Sequence, residues 1–227
     1  MRTSKLLFLL PVILLVTNNL NAQKKSSDFV GNISYSVTTQ GDVDATIAAQ
    51  LPTEIIMYYN GPKTRIEQKS AMGSQIIISN IETKEQIVLI DIMGQKYALK
   101  STKEETEKGQ SEIPKGTVTM STETKTIAGY NCKKADFLQD GKTSTIWITG
   151  EIDLKNANWQ TPYKDVNGVM MEYTYTQNSG QDGDISMLIT AKEVKKEKVK
   201  DSMFTVPTSY QEMSITEFRK MMGGGGE

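Results

Sequence analysis

The chain has 227 residues, with 26 Lys and Arg against 27 Asp and Glu, one cysteine and no histidine. So even a balance offers no basic face for nucleic acid or an anionic membrane surface. Without histidine, Ser-His-Asp and Cys-His nucleophile systems and His-ligated zinc are excluded, and a single cysteine excludes an internal disulfide.

Residues 1–22 have the three parts of a secretory signal: Arg2 and Lys5, an apolar run over 6–16, and a polar stretch ending in small Ala22 before Gln23. The run is too short to span a bilayer, which takes roughly 20 apolar residues. No cysteine follows the cleavage point, so a lipid anchor by that route is out. The expected product is exported to the periplasm or beyond, with no transmembrane span. The leader carries two basic and no acidic residues, so cleavage leaves 24 basic against 27 acidic side chains. Residues 23–222 are expected to form a single β-rich domain, and 223–227 a flexible glycine tail.

Along the chain, Ile33, Tyr35 and Val37 alternate with Ser34, Ser36 and Thr38, the period-2 pattern of a half-buried strand. Residues 41–52 form a loop or a short helix around 45–49. An apolar run over 55–59 meets the turn Asn60-Gly61-Pro62 and passes into 63–69. Further strands are expected at 76–78, 87–92 and 96–100. Residues 101–116, rich in Lys, Glu and Thr, have almost nothing to bury and read as a mobile loop. Strands resume at 117–127, 132–138 and 143–149, the last two joined by the hairpin signal Asp140-Gly141. Residues 152–163 form a helical or irregular excursion. Val169, Met171, Tyr173 and Tyr175 line one strand face, and Ile185, Met187 and Ile189 another, with a glycine-rich turn over 178–184 between them. Residues 194–199 read as a lysine-rich sheet edge, and 215–222 as a short terminal helix. About eleven strands with hairpin connections make a large antiparallel sheet that curls or closes.

The chemistry-bearing groups are sparse. Glu104, Glu105 and Glu107 fall in the expected loop, where carboxylates stay solvated. Asp182-Gly183-Asp184 lacks the remaining ligands of a calcium loop and reads as a turn. Cys132 alternates with Asn131 and Lys133 and reads as a core thiol. Asn32-Ile33-Ser34 matches a glycosylation sequon but lies within a strand. Met57, Met120, Met170, Met171 and Met187 fall in strands and, with Tyr35, Tyr58, Tyr173 and Tyr175, either fill an ordinary core or leave an apolar cavity.

Three segments carry a resemblance. Residues 126–135, TIAGYNCKKA, resemble the "I-x-G-Y-x-C-x-K-A" core of a family of exported Gram-negative bacterial domains of unknown function. Residues 145–149, TIWIT, fit the "iWxT" strand that follows it there, and 204–210, FTVPTSY, are similar to the closing "F-x-x-P-x-x-Y". That family is similar in outline to the LolA and LppX group, whose fold is an incomplete antiparallel β-barrel with short helices over an apolar concave face. The resemblance implies a mainly β, LolA-like fold and a non-enzymatic carrier, with short helices near 45–49 and 156–159 as a lid. Its ligand would be a lipid or a lipoprotein acyl chain, at about 0.8 kcal/mol per buried methylene. The candidate apolar binding residues are Tyr35, Met57, Tyr130, Trp147, Met171, Tyr173 and Met187. No cofactor or metal is called for. The alternative is a structural or protein-interaction module whose partner is an envelope protein.

Overall fold

The computed structural model describes residues 29–92, 94–113, 115–155, 157–159, 161–178 and 184–221. The expected leader over 1–22, the turn containing Asp182 and Gly183, and the glycine tail lie outside these residues. In chain order the elements are β1 (Gly31–Gln40), α1 (Ala45–Ala48), β2 (Glu54–Asn60), β3 (Lys63–Ser70), β4 (Gly73–Asn80), β5 (Gln86–Ile92) and β6 (Gln95–Ser101). There follow α2 (Lys103–Glu112), β7 (Thr117–Ile127), β8 (Tyr130–Gln139), β9 (Lys142–Thr149), β10 (Val169–Asn178), β11 (Asp184–Lys196), a 3-10 turn (Asp201–Phe204), β12 (Gln211–Ser214) and α3 (Ile215–Met221).

The twelve strands form one sheet, ordered β12-β6-β5-β4-β3-β2-β1-β11-β10-β9-β8-β7. Two antiparallel meanders, β2–β6 and β7–β11, are stitched together by β1, which pairs with β2 on one side and β11 on the other. Only β12 breaks the antiparallel rule, pairing parallel to β6. The expected β class is present, but the barrel is not: β7 and β12 are both edges, and the sheet stays open.

The hairpins follow from local chemistry. Asp140 (φ 50°) and Gly141 (φ 74°) both take left-handed backbone, the two-residue turn whose twist matches paired strands. Ala128 (φ 49°) and Gly129 (φ 84°) do the same between β7 and β8, with alanine in a conformation that strains a Cβ.

Residues 101–116 differ most from expectation. Thr102 accepts a hydrogen bond from the backbone of Glu105 while the Glu105 carboxylate accepts from the backbone of Thr102, and this capping box starts α2. Composition hid the helix, although Thr102-Lys103-Glu104-Glu105 carries the signature of its start. Residues 194–196 pair with Ile33, Asn32 and Gly31 of β1 on one side, while β10 has already ended its pairing at Thr190, so their other side is left unpaired by β10, as at a sheet edge.

Alternation along paired strands sorts side chains into two faces. The inner face carries Tyr35, Ile55, Ile66, Ile77, Ile146, Tyr173 and Ile189, aligned by register from β4 through β9. The described residues of 150–168, between β9 and β10, fold onto this face. Tyr163 there meets Phe137 in a tilted contact at 4.6 Å and Tyr173 edge-on at 5.8 Å between ring centres. Buried Asn158 holds the excursion closed by donating through Nδ2 to the carbonyls of Val166 (3.1 Å) and Gly168 (3.0 Å). The outer face of β4–β6 has its own small core of Ile78, Leu89 and Ala98, covered by Phe204, Val206 and Tyr210. Arg65 pins that cover by donating through Nη1 to the Met203 carbonyl at 2.7 Å.

Candidate functional site

The curvature is read directly from one cavity of about 720 Å³ on the inner face. Gln86 of β5 and Tyr175 of β10, six strands apart in the sheet, both line it. Only a strongly curled sheet brings such distant strands around one space. The roof is formed by Gly109, Glu112 and Ile113 at the end of α2 and by Thr161, Pro162 and Tyr163 of the excursion. The connection from β6 to β7 must travel from near one edge of the sheet to the other, and α2 is the part of that connection over the cavity.

The lining has two characters. Toward β10 and β11 it is aromatic and aliphatic, with Tyr163, Tyr173, Tyr175, Met187 and Ile189. Toward β3–β5 it carries three amides, Gln68, Gln75 and Gln86, beside Ile66 and Ile77. Gln68 and Gln75 face each other in the β3–β4 register, one pair along from Ile66 and Ile77 on the same face. An amide there is a polar group at an inward position, offering a carbonyl acceptor and two N–H donors.

The candidate residues separate into groups. Met57, Tyr173 and Met187 line the large cavity. Tyr35 and Met57 line an adjoining space of about 60 Å³ beneath Trp159. The Tyr35 hydroxyl donates to the Met170 carbonyl at 3.3 Å, and the Tyr59 hydroxyl to Met57 Sδ at 3.3 Å. Burial pushes the phenols of Tyr35, Tyr59 and Tyr173 well above their ordinary pKa. Trp147 lies on the opposite face of β9 from Ile146 and Ile148, paired with Lys134 and Glu172, and Lys125 sits over its ring at 4.2 Å. Met171 is fully buried at the register shift between Met170 and Glu172. Tyr130 opens β8 opposite Ile127, packed against the main core. None of these last three lines the cavity. Sequence reading passed over Gln68, Gln75, Gln86 and Tyr163; the signal available for the two paired glutamines was their period-2 phase with Ile66 and Ile77.

Cys132 is fully buried, and burial raises its thiol pKa, so it is a core group rather than a reactive one. Glu104, Glu105 and Glu107 are exposed on α2. Among the described residues, no three His, Cys, Asp or Glu side chains gather as a metal site, and no helix is long and apolar enough to cross a membrane.

The fold and its roofed hollow define a class: an open, curled, all-β domain with a large cavity on its inner face. Residues 33–218 match the family described as "N-glycanase peptide, N-terminal domain", and the chain belongs to that family. Two crystal structures of PNGF-II, in the C2 and P21 space groups, share the fold. Each has a TM-score of 0.50 and 18% identity, covering 86% of this chain. The chain spans only 33% of the length of those proteins. No curated protein matches the sequence.

These findings correct the resemblance drawn from residues 126–135, 145–149 and 204–210. The family is one tied by description to N-glycanases, not one of exported domains akin to LolA and LppX. The lipid or acyl-chain carrier falls with it, and the envelope-module alternative gains no support. The cavity agrees on physical grounds, because a greasy chain laid along Gln68, Gln75 and Gln86 would strip three amides of water without replacing their hydrogen bonds.

Proposed function

We propose that the chain is a non-catalytic carbohydrate-holding domain, which binds the sugar of an asparagine-linked glycopeptide in the inner-face cavity. The observation that carries this reading is the pairing of Tyr163, Tyr173 and Tyr175 on one wall with Gln68, Gln75 and Gln86 on the other. A pyranose presents a C–H face that rests on an aromatic ring, and a rim of hydroxyls that both donate and accept. Tyrosine supplies a flat apolar body with a polar tip, and glutamine supplies both hydrogen-bonding senses. At about 720 Å³ the space suits a short oligosaccharide.

The family description supports the substrate class, since an N-glycanase acts on asparagine-linked sugar. The absence of histidine and the solvated carboxylates of α2 support a holding role rather than bond cleavage. A secretory leader over 1–22, as the sequence leads one to expect, would suit a domain that meets such glycopeptides outside the cytoplasm, and the even charge suits a neutral partner better than nucleic acid.

Calorimetric titration with a glycopeptide, and with the same peptide stripped of its sugar, tests the proposal. Glycan-dependent binding is expected, weakened about tenfold by Tyr175→Ala, since losing one aromatic contact costs roughly 1 kcal/mol or slightly more. Tyr175 is 41% exposed, so its truncation leaves the core intact. Equal binding of both peptides, or of neither, would reject the reading.

A further inference from the structure

The glutamine pair at one end of the inner-face cavity also borders a second hollow. Its volume is about 350 Å³, and Pro52, Gln68 and Gln75 line both spaces. Strand register shows how the two join. On the inner face of β3–β5 the rows run Ile66–Ile77–Val88, then Gln68–Gln75–Ile90, then Ser70–Gly73–Ile92. The large cavity lies toward the first row, and the second hollow toward the third. Gln68 and Gln75 are therefore a sill between two spaces, not an end wall.

The second hollow has a fixed frame. One wall is the loop after α1, which brings Gln50 and Pro52. That loop is tied down at two points: the Ala71 amide donates to the Ala49 carbonyl at 3.1 Å, and the Val37 amide to the Thr53 carbonyl at 3.0 Å. Asp44 caps α1, accepting from the Thr46 amide at 2.8 Å. In the third row Gly73 adds no side chain; a methyl group there would come within 2.2 Å of the Asp91 carbonyl oxygen. Met72 and Ile92, 49% and 38% exposed, leave apolar surface on the lining open to solvent.

The lining selects its occupant by chemistry. Lys69 and Asp91 border the hollow with one charge of each sign, which favours neither an anion nor a cation. β3, β4 and β5 are paired on both sides, so they offer no open edge to an added peptide strand. What remains is amides and apolar surface. Gln50, Gln68 and Gln75 both donate and accept, as hydroxyls require, and Met72 and Ile92 can rest against C–H groups.

Resting on the carbohydrate reading of the large cavity, we infer that this hollow is a second saccharide subsite, and that a bound glycan crosses Gln68 and Gln75 to occupy both. The domain thus responds to glycan length. A single sugar fills the large cavity alone, and a longer chain adds the contacts of Gln50, Met72 and Ile92.

Titration with one peptide carrying either a single sugar or a longer glycan tests this. Wild type should bind the longer glycopeptide about tenfold more tightly, the worth of one or two added hydrogen bonds. The double variant Gln50→Ala, Met72→Ala changes exposed side chains that line the second hollow and not the large cavity. It should lose that gain and bind the single-sugar glycopeptide as wild type does. In hydrogen exchange, the amides of residues 70–75 should slow with the longer glycopeptide, and stay unchanged with the single-sugar form or the bare peptide. A length gain that survives in the double variant, no gain in wild type, or equal protection by the bare peptide would overturn the second subsite and leave the cavity reading standing. Failure of both glycopeptides to bind wild type would overturn both.

Discussion

The two arms of the sheet cover the same inner face in opposite ways. On the β8–β10 side the chain's own excursion lies against the strands, with Tyr163 between Phe137 and Tyr173, and Asn158 locking the loop to two carbonyls. On the β3–β5 side the face keeps amides, and α2 roofs it with Gly109, Glu112 and Ile113. The excursion packs as core does; the helix roofs an open space. The difference shows that covering a curved sheet and filling it are separate problems, solved by different residue types.

The sharpest way to break this contrast is to remove the same atoms from both arms. Ile146, with no exposed surface, sits in the filled arm, while half-buried Ile77 lines the cavity. Ile146→Ala should cost about 3–4 kcal/mol in denaturant unfolding, because rigid neighbours leave a void. Ile77→Ala should cost about 1 kcal/mol, since it widens a space that already exists. Equal losses would mean that the arms are packed alike.

The excursion supplies the next test. Asn158→Ala leaves the carbonyls of Val166 and Gly168 without their donor, and should cost about 2 kcal/mol. Limited proteolysis should then cut first within residues 152–166, ahead of α2.

The smallest effect comes at the sheet's far edge. Hydrogen bonds from the backbone and hydroxyl of Ser214 hold the Glu217 carboxyl below its ordinary pKa at the start of α3. A lowered folded value means the stabilisation is present above the ordinary glutamate range and lost as pH falls through the folded value. Exchange at residues 211–221 should rise below about pH 4 before either arm loosens.

Much of the fold was legible because inner and outer residues alternate. Ile33, Tyr35 and Val37 set β1, and Asp140-Gly141 set the β8–β9 turn. β12 escaped because Gln-Glu-Met-Ser has no apolar alternation; its place comes from pairing with Tyr97 through Lys100 and the Lys100–Glu212 ion pair. The family motifs were visible, but they carry structure rather than chemistry. Ile127 and Cys132 are buried, and Ala128-Gly129 make the left-handed turn between β7 and β8. Phe204 and Tyr210 clasp the outer face of β4–β6. Such residues report how a sheet is built and say little about what it does, which is why they suggested a lipid carrier that the family does not support. The cavity itself was less legible, since its glutamines and Tyr163 come from four separate segments that only the curl brings together.

The parallel pairing of β12 with β6 has a consequence for the order of assembly. Residues 97–100 wait for a partner that begins at residue 211, with five strands and the helix α2 made in between. Until that last segment arrives, the backbone groups along one side of β6 stand open, the kind of surface on which a second nascent chain can template itself. The four-residue strand thus acts as a late seal, and a molecule lacking it would be prone to self-association before it showed any lesion in the cavity.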